Sequence, residues 1–387
     1  MAAAATIDPA ALTAELVRFA SVTPKDEGCI AYLVRTLEGI GFACETLEFA
    51  EPGTEKVLNL YARLGKSGRN LCFAGHTDVV PVGNLANWSV DPFKGTVKDG
   101  ILIGRGAADM KSAIACFASA AARFVAAHGH DFGGSLSLLI TGDEEAIAIN
   151  GTRKVLEALA KRGEKLDACI VGEPTSRKAL GDMIKIGRRG SLNGYLTAFG
   201  VQGHTAYPHF ADNAAHHLVK MLGELTREPI DDGSAQFEPS NLQVATIDIG
   251  NTAANIIPDR AKAVFNVRFN DRWSGKTMET WVRQRLDRAG GKYELTIQVS
   301  GESFLVPPGE VSDKLARAIE SITGRRPELS TGGGTSDARF IQRYCPVAEF
   351  GPVGETAHKV NECTSLNDIE TLAKIYLSFL ELYFGKR

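Results

Sequence analysis

Apolar runs in this chain end, again and again, on a carboxylate or an imidazole. Leu71, Cys72 and Phe73 lead through "AGHTDVV" to His76 and Asp78, "SLSLLITG" runs into Glu144 and Glu145 of "TGDEEA", and "ACIVGEP" reaches Glu173. Asp109 in "GRGAADMKS" and His358 in "ETAHKVNE" stand at comparable element ends. A polar group buried without a partner costs roughly 1 to 3 kcal/mol by protein mutational measures, so something must satisfy groups displayed by strands that head for the interior. One such ending is ordinary, because a strand end is where a loop meets solvent. Their recurrence constrains the fold to one that gathers strand ends at one place, as an α/β sheet does.

The periodicity supports that class. Asp8 followed by Pro9 is a helix start, with Leu12, Leu16 and Phe19 at one-face spacing, and a second helix runs past Leu33, Leu37 and Ile40 to end near Gly41. "VLNLYARL" alternates as a strand, "NLCFAG" reads as a buried strand, and "KDGILIGRG" carries an Asp-Gly turn. The helices "MKSAIACFASAAARFVAA" and "TRKVLEALAKRG" alternate with the strands "SLSLLITG" and "ACIVGEP". The expectation is a central mixed sheet flanked by helices.

From about residue 190 the rhythm changes to strand 191–199, helix 212–226, strands 242–249 and 261–269, helix 276–288 and strand 293–299. That order is the β-α-β-β-α-β unit of ferredoxin-like domains. It reads as an insertion, since residues 302–387 return to helix, the strand "PVAEFGPV" and a final helix from Asn367 to Phe384. The expected division is therefore 1–189 and 302–387 for one domain, with 190–301 inserted into it.

A chain of 387 residues with 44% hydrophobic composition fills two cores. Lys+Arg 43 against Asp+Glu 46 leaves a net charge of -3 and no long basic tract, which argues against a nucleic-acid partner. The seven cysteines are scattered and form no Cys-x-x-Cys pair, so neither a disulfide framework nor a thiolate zinc site is expected, and a reducing compartment is. The start "MAAAATIDPAALTAELVRFA" has no basic n-region and no long leucine-rich run. It is read as neither signal peptide nor membrane span, with the cytoplasm as the expected location.

Two of the eight histidines, His76 and His358, stand with this set of carboxylates, the ligand inventory of a two-metal hydrolase. In this order, and spread over nearly the whole chain, the motifs resemble those of the dinuclear zinc aminoacylase and carboxypeptidase family; "IGRRGS", "QGHTAYPH", "GGGTSDARF" and "AHKVNEC" add to the likeness. The resemblance implies a catalytic domain for 1–189 and 302–387 and a lid and dimerisation domain for 190–301. It also implies two Zn2+ per subunit, with Co2+ or Mn2+ as substitutes. It implies that Asp109 bridges them, His76 and Glu173 completing one site and Glu145 and His358 the other. Oxygen and imidazole ligands without cysteine leave such metals Lewis acidic.

Asp78 lies two positions after His76, so on an extended strand both side chains share a face, and the carboxylate is expected to hold the imidazole in the ligating tautomer. Adjacent side chains of "DEE" do not easily bind one ion, which separates their jobs: Glu145 coordinates, and Glu144 takes a proton from the attacking water and passes it to the departing amine. His204 is implied as donor to the developing oxyanion, contributed by the inserted domain to the other subunit of a homodimer.

The substrate implied is a small N-acyl amino acid, N-succinyl-LL-2,6-diaminopimelate in lysine and diaminopimelate biosynthesis, with N-acetylornithine or a dipeptide as the alternatives. Carboxylates at both ends call for bidentate arginine. The resemblance points to Arg188, Ser191, Tyr207, Asn255, Arg268 and Thr335 as contacts, with glycines 332–334 letting backbone approach the ligand. Gly354 departs from relatives that carry an asparagine just before "ETAHKV". A dinucleotide-binding reading of "GRGAAD" fails where Asp109 replaces the third glycine and would face a pyrophosphate with like charge. A serine hydrolase lacks its Gly-x-Ser-x-Gly elbow.

Overall fold

A computed structural model describes residues 6–385. The first five residues of the start read for a leader, and the outermost limits 1 and 387 of the expected domain ranges, lie outside the described residues. The chain divides into two compact units: the first runs to Ile186 and includes Val306–Ser330 and the chain from Ser336, and the second is Gly187–Leu305 with Thr331–Thr335. The division falls a few residues from the ranges expected from sequence. It also assigns Thr331–Thr335 to the second unit, a segment too short to carry a periodicity of its own.

The first unit is built on an eight-stranded mixed sheet in the order Ala43–Phe49, Val57–Leu64, Gly134–Thr141, Arg69–His76, Ala168–Val171, Val347–Glu349, Met183–Lys185, Glu328–Ser330. Arg69–His76 lies parallel to both of its neighbours, so it is buried and reads as a continuous apolar run. Val57–Leu64 does not alternate as its sequence suggested. Six of its eight positions are buried, because the strand is covered on both faces and not on one.

Helix Ser112–His128 packs beneath the central strands, and its alanines allow close approach. Phe73 of the strand stacks on Phe117 of the helix at 4.4 Å, and Tyr376 of helix Leu366–Phe384 meets both edge-on at 5.7 Å. Each ring buried in this way contributes about 1.5 to 3 kcal/mol. The stretch Ala107–His128 is long and apolar enough to cross a membrane, but 83% of the window is buried inside the fold, as befits a core helix.

Strands Thr96–Lys98 and Ile101–Ile103 form a hairpin whose turn residues, Asp99 at φ 51° and Gly100 at φ 77°, are both left-handed, the conformation that an Asp-Gly pair favours. Ile101–Ile103 also pairs with Cys363–Ser365. This small sheet brings the turn after residue 104 alongside residues 358–362, with Gly104 N–H donating to the Glu362 carbonyl at 2.9 Å.

The second unit is a four-stranded antiparallel sheet in the order Asn241–Asp248, Arg260–Phe269, Gly190–Phe199, Lys292–Gly301, with helices Ala214–Thr226 and Gly275–Ala289. Arg260–Phe269 alternates cleanly, so Ala263, Phe265, Val267 and Phe269 face a core shared with Leu218, Met221, Val282 and Leu286 of the helices. Ser274 starts its helix with a reciprocal capping box to Thr277, and Asn213 caps the other. The short strands Met183–Lys185 and Glu328–Ser330 have no period in the sequence because each is only three residues long.

Candidate metal centre

His76 ends its strand with 1% exposure. Its Nε2 lies 3.2 Å from Asp109 Oδ1 and 3.8 Å from Glu173 Oε1. Asp109 sits in an irregular turn, residues 107–111, between Gly106 and helix Ser112–His128, and its peptide bond to Met110 is cis. Its other carboxylate oxygen, Oδ2, is 3.2 Å from His358 Nε2, which in turn is 3.0 Å from Glu145 Oε1. One carboxylate therefore presents one oxygen to each of two imidazoles.

Ligand atoms of His76, Glu144 and Glu173 lie within 4.8 Å of one another, as do those of His76, Asp109 and Glu145. The donors are imidazole and carboxylate throughout, the set that suits a hard or borderline divalent cation. His76 Nε2 and Asp109 Oδ1 are buried yet make no hydrogen bond among the described residues. Buried polar atoms are seldom left so, and a cation between them supplies the missing partner. The residues present thus fit a pair of bound metal ions.

The electrostatics agree. Burial opposes charge on His76, but the carboxylates of Asp109, Glu173, Asp78 and Glu144 outweigh it and raise its pKa well above 6.5. His358, beside Asp109 and then Glu145, is pushed up to about 10. Burial would raise the Asp109 carboxyl, yet the His358 and His76 imidazoles pull it well below the ordinary range. Glu144 moves the other way: burial first, then the Glu173 charge, raise its pKa well above 4.5. A carboxyl poised in that direction suits proton transfer near neutrality.

The structure alters the expected role of Asp78. The His76 Nδ1 donates to the main-chain carbonyl of Asp78 at 2.9 Å, while the carboxylate Oδ1 lies 3.6 Å away. That carboxylate instead accepts the Glu144 and Glu145 N–H groups at 3.2 and 3.0 Å. The chain bends away from strand geometry after His76, so the shared face anticipated from a two-residue spacing does not persist.

Three further acids escaped the sequence reading although each lies within a quoted motif. Asp143 accepts N–H groups of Ala148, Ile149 and Asn150 at 3.2, 2.9 and 2.8 Å and so shapes the loop beginning at Glu144. Asp337 is 4% exposed and faces the same charges, its pKa raised by burial. Glu362 is fully buried and binds the Asp109 N–H at 2.9 Å.

The remaining residues singled out from sequence belong to the second unit. Arg188 is buried, with Nη1 donating to the Gly334 carbonyl at 3.2 Å. Gly333 has φ 101°, and a Cβ there would stand 3.0 Å from that guanidinium, so the glycines serve the approach to Arg188. Thr335 follows, half-buried. Ser191 is buried directly opposite Arg268 across the sheet, and burial together with the nearby Arg189 charge lowers the Arg268 pKa. His204, Tyr207 and Asn255 form a separate exposed group: Tyr207 N–H donates to the His204 carbonyl at 2.9 Å, and Thr205 N–H to that of Asn255 at 3.1 Å. In the first unit, a Cβ on Gly354 would lie 2.7 Å from the Pro174 carbonyl oxygen, so the backbone there leaves no room for an asparagine.

Fold and site together define a metallopeptidase-like hydrolase, and the chain belongs to Peptidase family M20/M25/M40, whose family model matches residues 72–382. It is similar to the succinyl-diaminopimelate desuccinylases of Rhodospirillum centenum, 55% identical over 98% of both chains, and Parvibaculum lavamentivorans, 54% identical over 98% of this chain and 96% of the other. Among solved structures, an M20 family metallo-carboxypeptidase from Sulfolobus solfataricus superposes with a TM-score of 0.81 at 18% identity, covering 97% of this chain and 99% of that one.

Proposed function

We propose that this chain is a metal-dependent amide hydrolase that converts N-succinyl-LL-2,6-diaminopimelate and water to succinate and LL-2,6-diaminopimelate. The observation that carries the hydrolytic reading is the Asp109 carboxylate, with an imidazole 3.2 Å from each of its oxygens. The substrate follows from the desuccinylases to which the chain is 54% and 55% identical. The reading places the protein in lysine and diaminopimelate biosynthesis. Seven free cysteines, none paired with another, support a reducing cytoplasm.

His76, Asp109 and Glu173 would hold one ion, and Asp109, Glu145 and His358 the other, with zinc the first choice and cobalt or manganese as substitutes. Such a pair, when bound, supplies Lewis acidity toward the amide carbonyl and lowers the pKa of water. Glu144 then accepts a proton from the attacking water at its carboxylate. The carbonyl carbon gains the water oxygen, the C–N bond breaks, and Glu144 returns the proton to the leaving nitrogen. Asp78 holds the Glu144 main chain still during both transfers, because its carboxylate binds the Glu144 and Glu145 N–H groups.

His204, exposed on the inserted unit, is assigned to the developing oxyanion, reaching it as His204 of the partner subunit in a homodimer formed through that unit. Arg188 and Arg268 are assigned to the substrate carboxylates, with Ser191, Tyr207, Asn255 and Thr335 beside them. The test compares kcat/KM for N-succinyl-LL-2,6-diaminopimelate and N-acetylornithine with the zinc-loaded protein. The succinyl substrate should be preferred by at least tenfold, and the reverse order would overturn the specificity.

A further inference from the structure

Arg105 and Glu362 are buried, 3% and 0% exposed, and joined at 2.6 Å between Nη1 and Oε2. Glu362 Oε1 accepts three main-chain N–H groups, those of Gly106, Ala108 and Asp109, at 3.1, 3.0 and 2.9 Å. Three N–H groups of one turn converging in this way resemble the nests that bind anions, although the Ala107 N–H between them donates instead to the Gly104 carbonyl at 3.1 Å. Here the anion is the chain's own carboxylate, which explains why "GRGAAD" offers nothing to a pyrophosphate.

The guanidinium turns to the carbonyls of the other loops. Nη1 donates to Lys359 O at 3.2 Å, and Nη2 to Pro81 O at 3.2 Å and His358 O at 3.5 Å. The Trp88 ring lies 5.4 Å away and closes over it. His358 itself has φ 62° and Asn361 φ 58°, left-handed conformations that cost a side-chain-bearing residue free energy, though least for asparagine and histidine, and that surrounding contacts help to hold. The holding contacts are the Arg105 donors and the Asn361 Oδ1, which accepts Ser89 N–H and Oγ at 2.8 and 2.9 Å.

A buried ion pair is weak evidence of stability, since desolvation offsets its attraction. Its retention is better explained by the geometry it imposes. We propose that Arg105 and Glu362 are positioning residues of the metal centre, locking the main chain that carries Asp109 and His358 into ligating geometry before any cation arrives. The proposal rests on the reading that Asp109 and His358 bind metal, and it adds a reason for the backbone conformation of both.

Metal-stripped parent, Arg105→Lys and the double variant Arg105→Met/Glu362→Leu are titrated with Co2+, following visible absorption and competition with a chelating dye. The double variant removes both charges and leaves no uncompensated ion. The parent should bind two equivalents. Each folded variant should bind both equivalents more weakly, because Asp109 serves both, and the one that also depends on His358 10- to 100-fold more weakly, with altered absorption bands, as loss of an outer partner of a ligand does. Folded variants with parental affinities and bands would overturn the proposal while leaving the metal reading intact. A parent that binds no cobalt would instead overturn the metal reading and the proposal with it. Amide exchange in the metal-free parent provides a test that needs no variant: Gly106, Ala108 and Asp109 should be protected as well as strand Arg69–His76, and rapid exchange would overturn the locking.

Discussion

The His76 imidazole is oriented by the main-chain carbonyl of Asp78, 2.9 Å from Nδ1, and not by the Asp78 carboxylate. That carboxylate is fully buried and engaged with the N–H groups of Glu144 and Glu145. Burial raises its pKa to about 6 even so. Asp78→Asn should therefore disturb the glutamate loop and leave the His76 tautomer unchanged. We expect kcat to fall 10- to 100-fold, with faster amide exchange at Glu144 and Glu145 and an unshifted His76 Nδ1–H resonance. A displaced His76 resonance with a quiet loop would point back to the carboxylate.

Glu144→Gln keeps the shape of the side chain and removes its capacity to carry a proton. Turnover should drop by about 10² to 10⁴ while metal content, read by elemental analysis, stays at the parental value. A variant that loses metal in proportion to activity would make Glu144 a ligand alongside His76 and Glu173, whose ligand atoms lie within 4.8 Å of its own.

His204→Ala should lower kcat by roughly 10² to 10³ with little change in KM, if the imidazole acts only on charge that develops during reaction. Mixing this variant with inactive Glu144→Gln protein tests whether it acts across subunits. Recovery of activity in the mixture is the expected outcome.

Chelation should destabilise the first unit, since it removes ligand bonds made only in the folded state and leaves His76 Nε2 and Asp109 Oδ1 buried, 3.2 Å apart, with no hydrogen bond. At free zinc about 100 times Kd, each bound ion adds about 2.7 kcal/mol, roughly 5 to 10 °C in Tm per ion for a unit of this size. Differential scanning calorimetry with and without chelator gives the value directly.

Away from the site, Glu310 bridges Arg69 through two bonds of 2.9 and 2.8 Å and Lys314 through one of 2.8 Å. The Arg69 guanidinium, with Lys314, holds its carboxyl down from 4.5 to about 2. A depressed folded pKa contributes stability above pH 4.5 that disappears as the pH falls through about 2. The pair is 49% and 38% exposed, so solvent screening keeps the contribution under ~1 kcal/mol. Glu310→Gln should lower Tm slightly at pH 7, and the difference from the parent should close between pH 4.5 and 2.

The sequence by itself determined the class of fold and the identity of the clustered side chains. Long buried strands such as Arg69–His76, the alternation of Arg260–Phe269 and the alanine-rich helix Ser112–His128 are local patterns, set by burial and periodicity within each segment. His76, Asp78, Asp109, Glu144, Glu145, Glu173 and His358 were visible because polar residues at the ends of apolar runs need partners; the choice of five among them as ligands came from the resemblance to a known family. Tertiary structure alone decided how they are held. The carbonyl behind His76, the Asp78 grip on the glutamate loop and the Glu362 carboxylate inside the Gly106–Asp109 turn are contacts between segments separated by 66 to 256 residues, or made by main-chain atoms that every residue possesses. Composition and period carry no trace of such bonds. Their partners are chosen only when the sheet brings distant strand ends together.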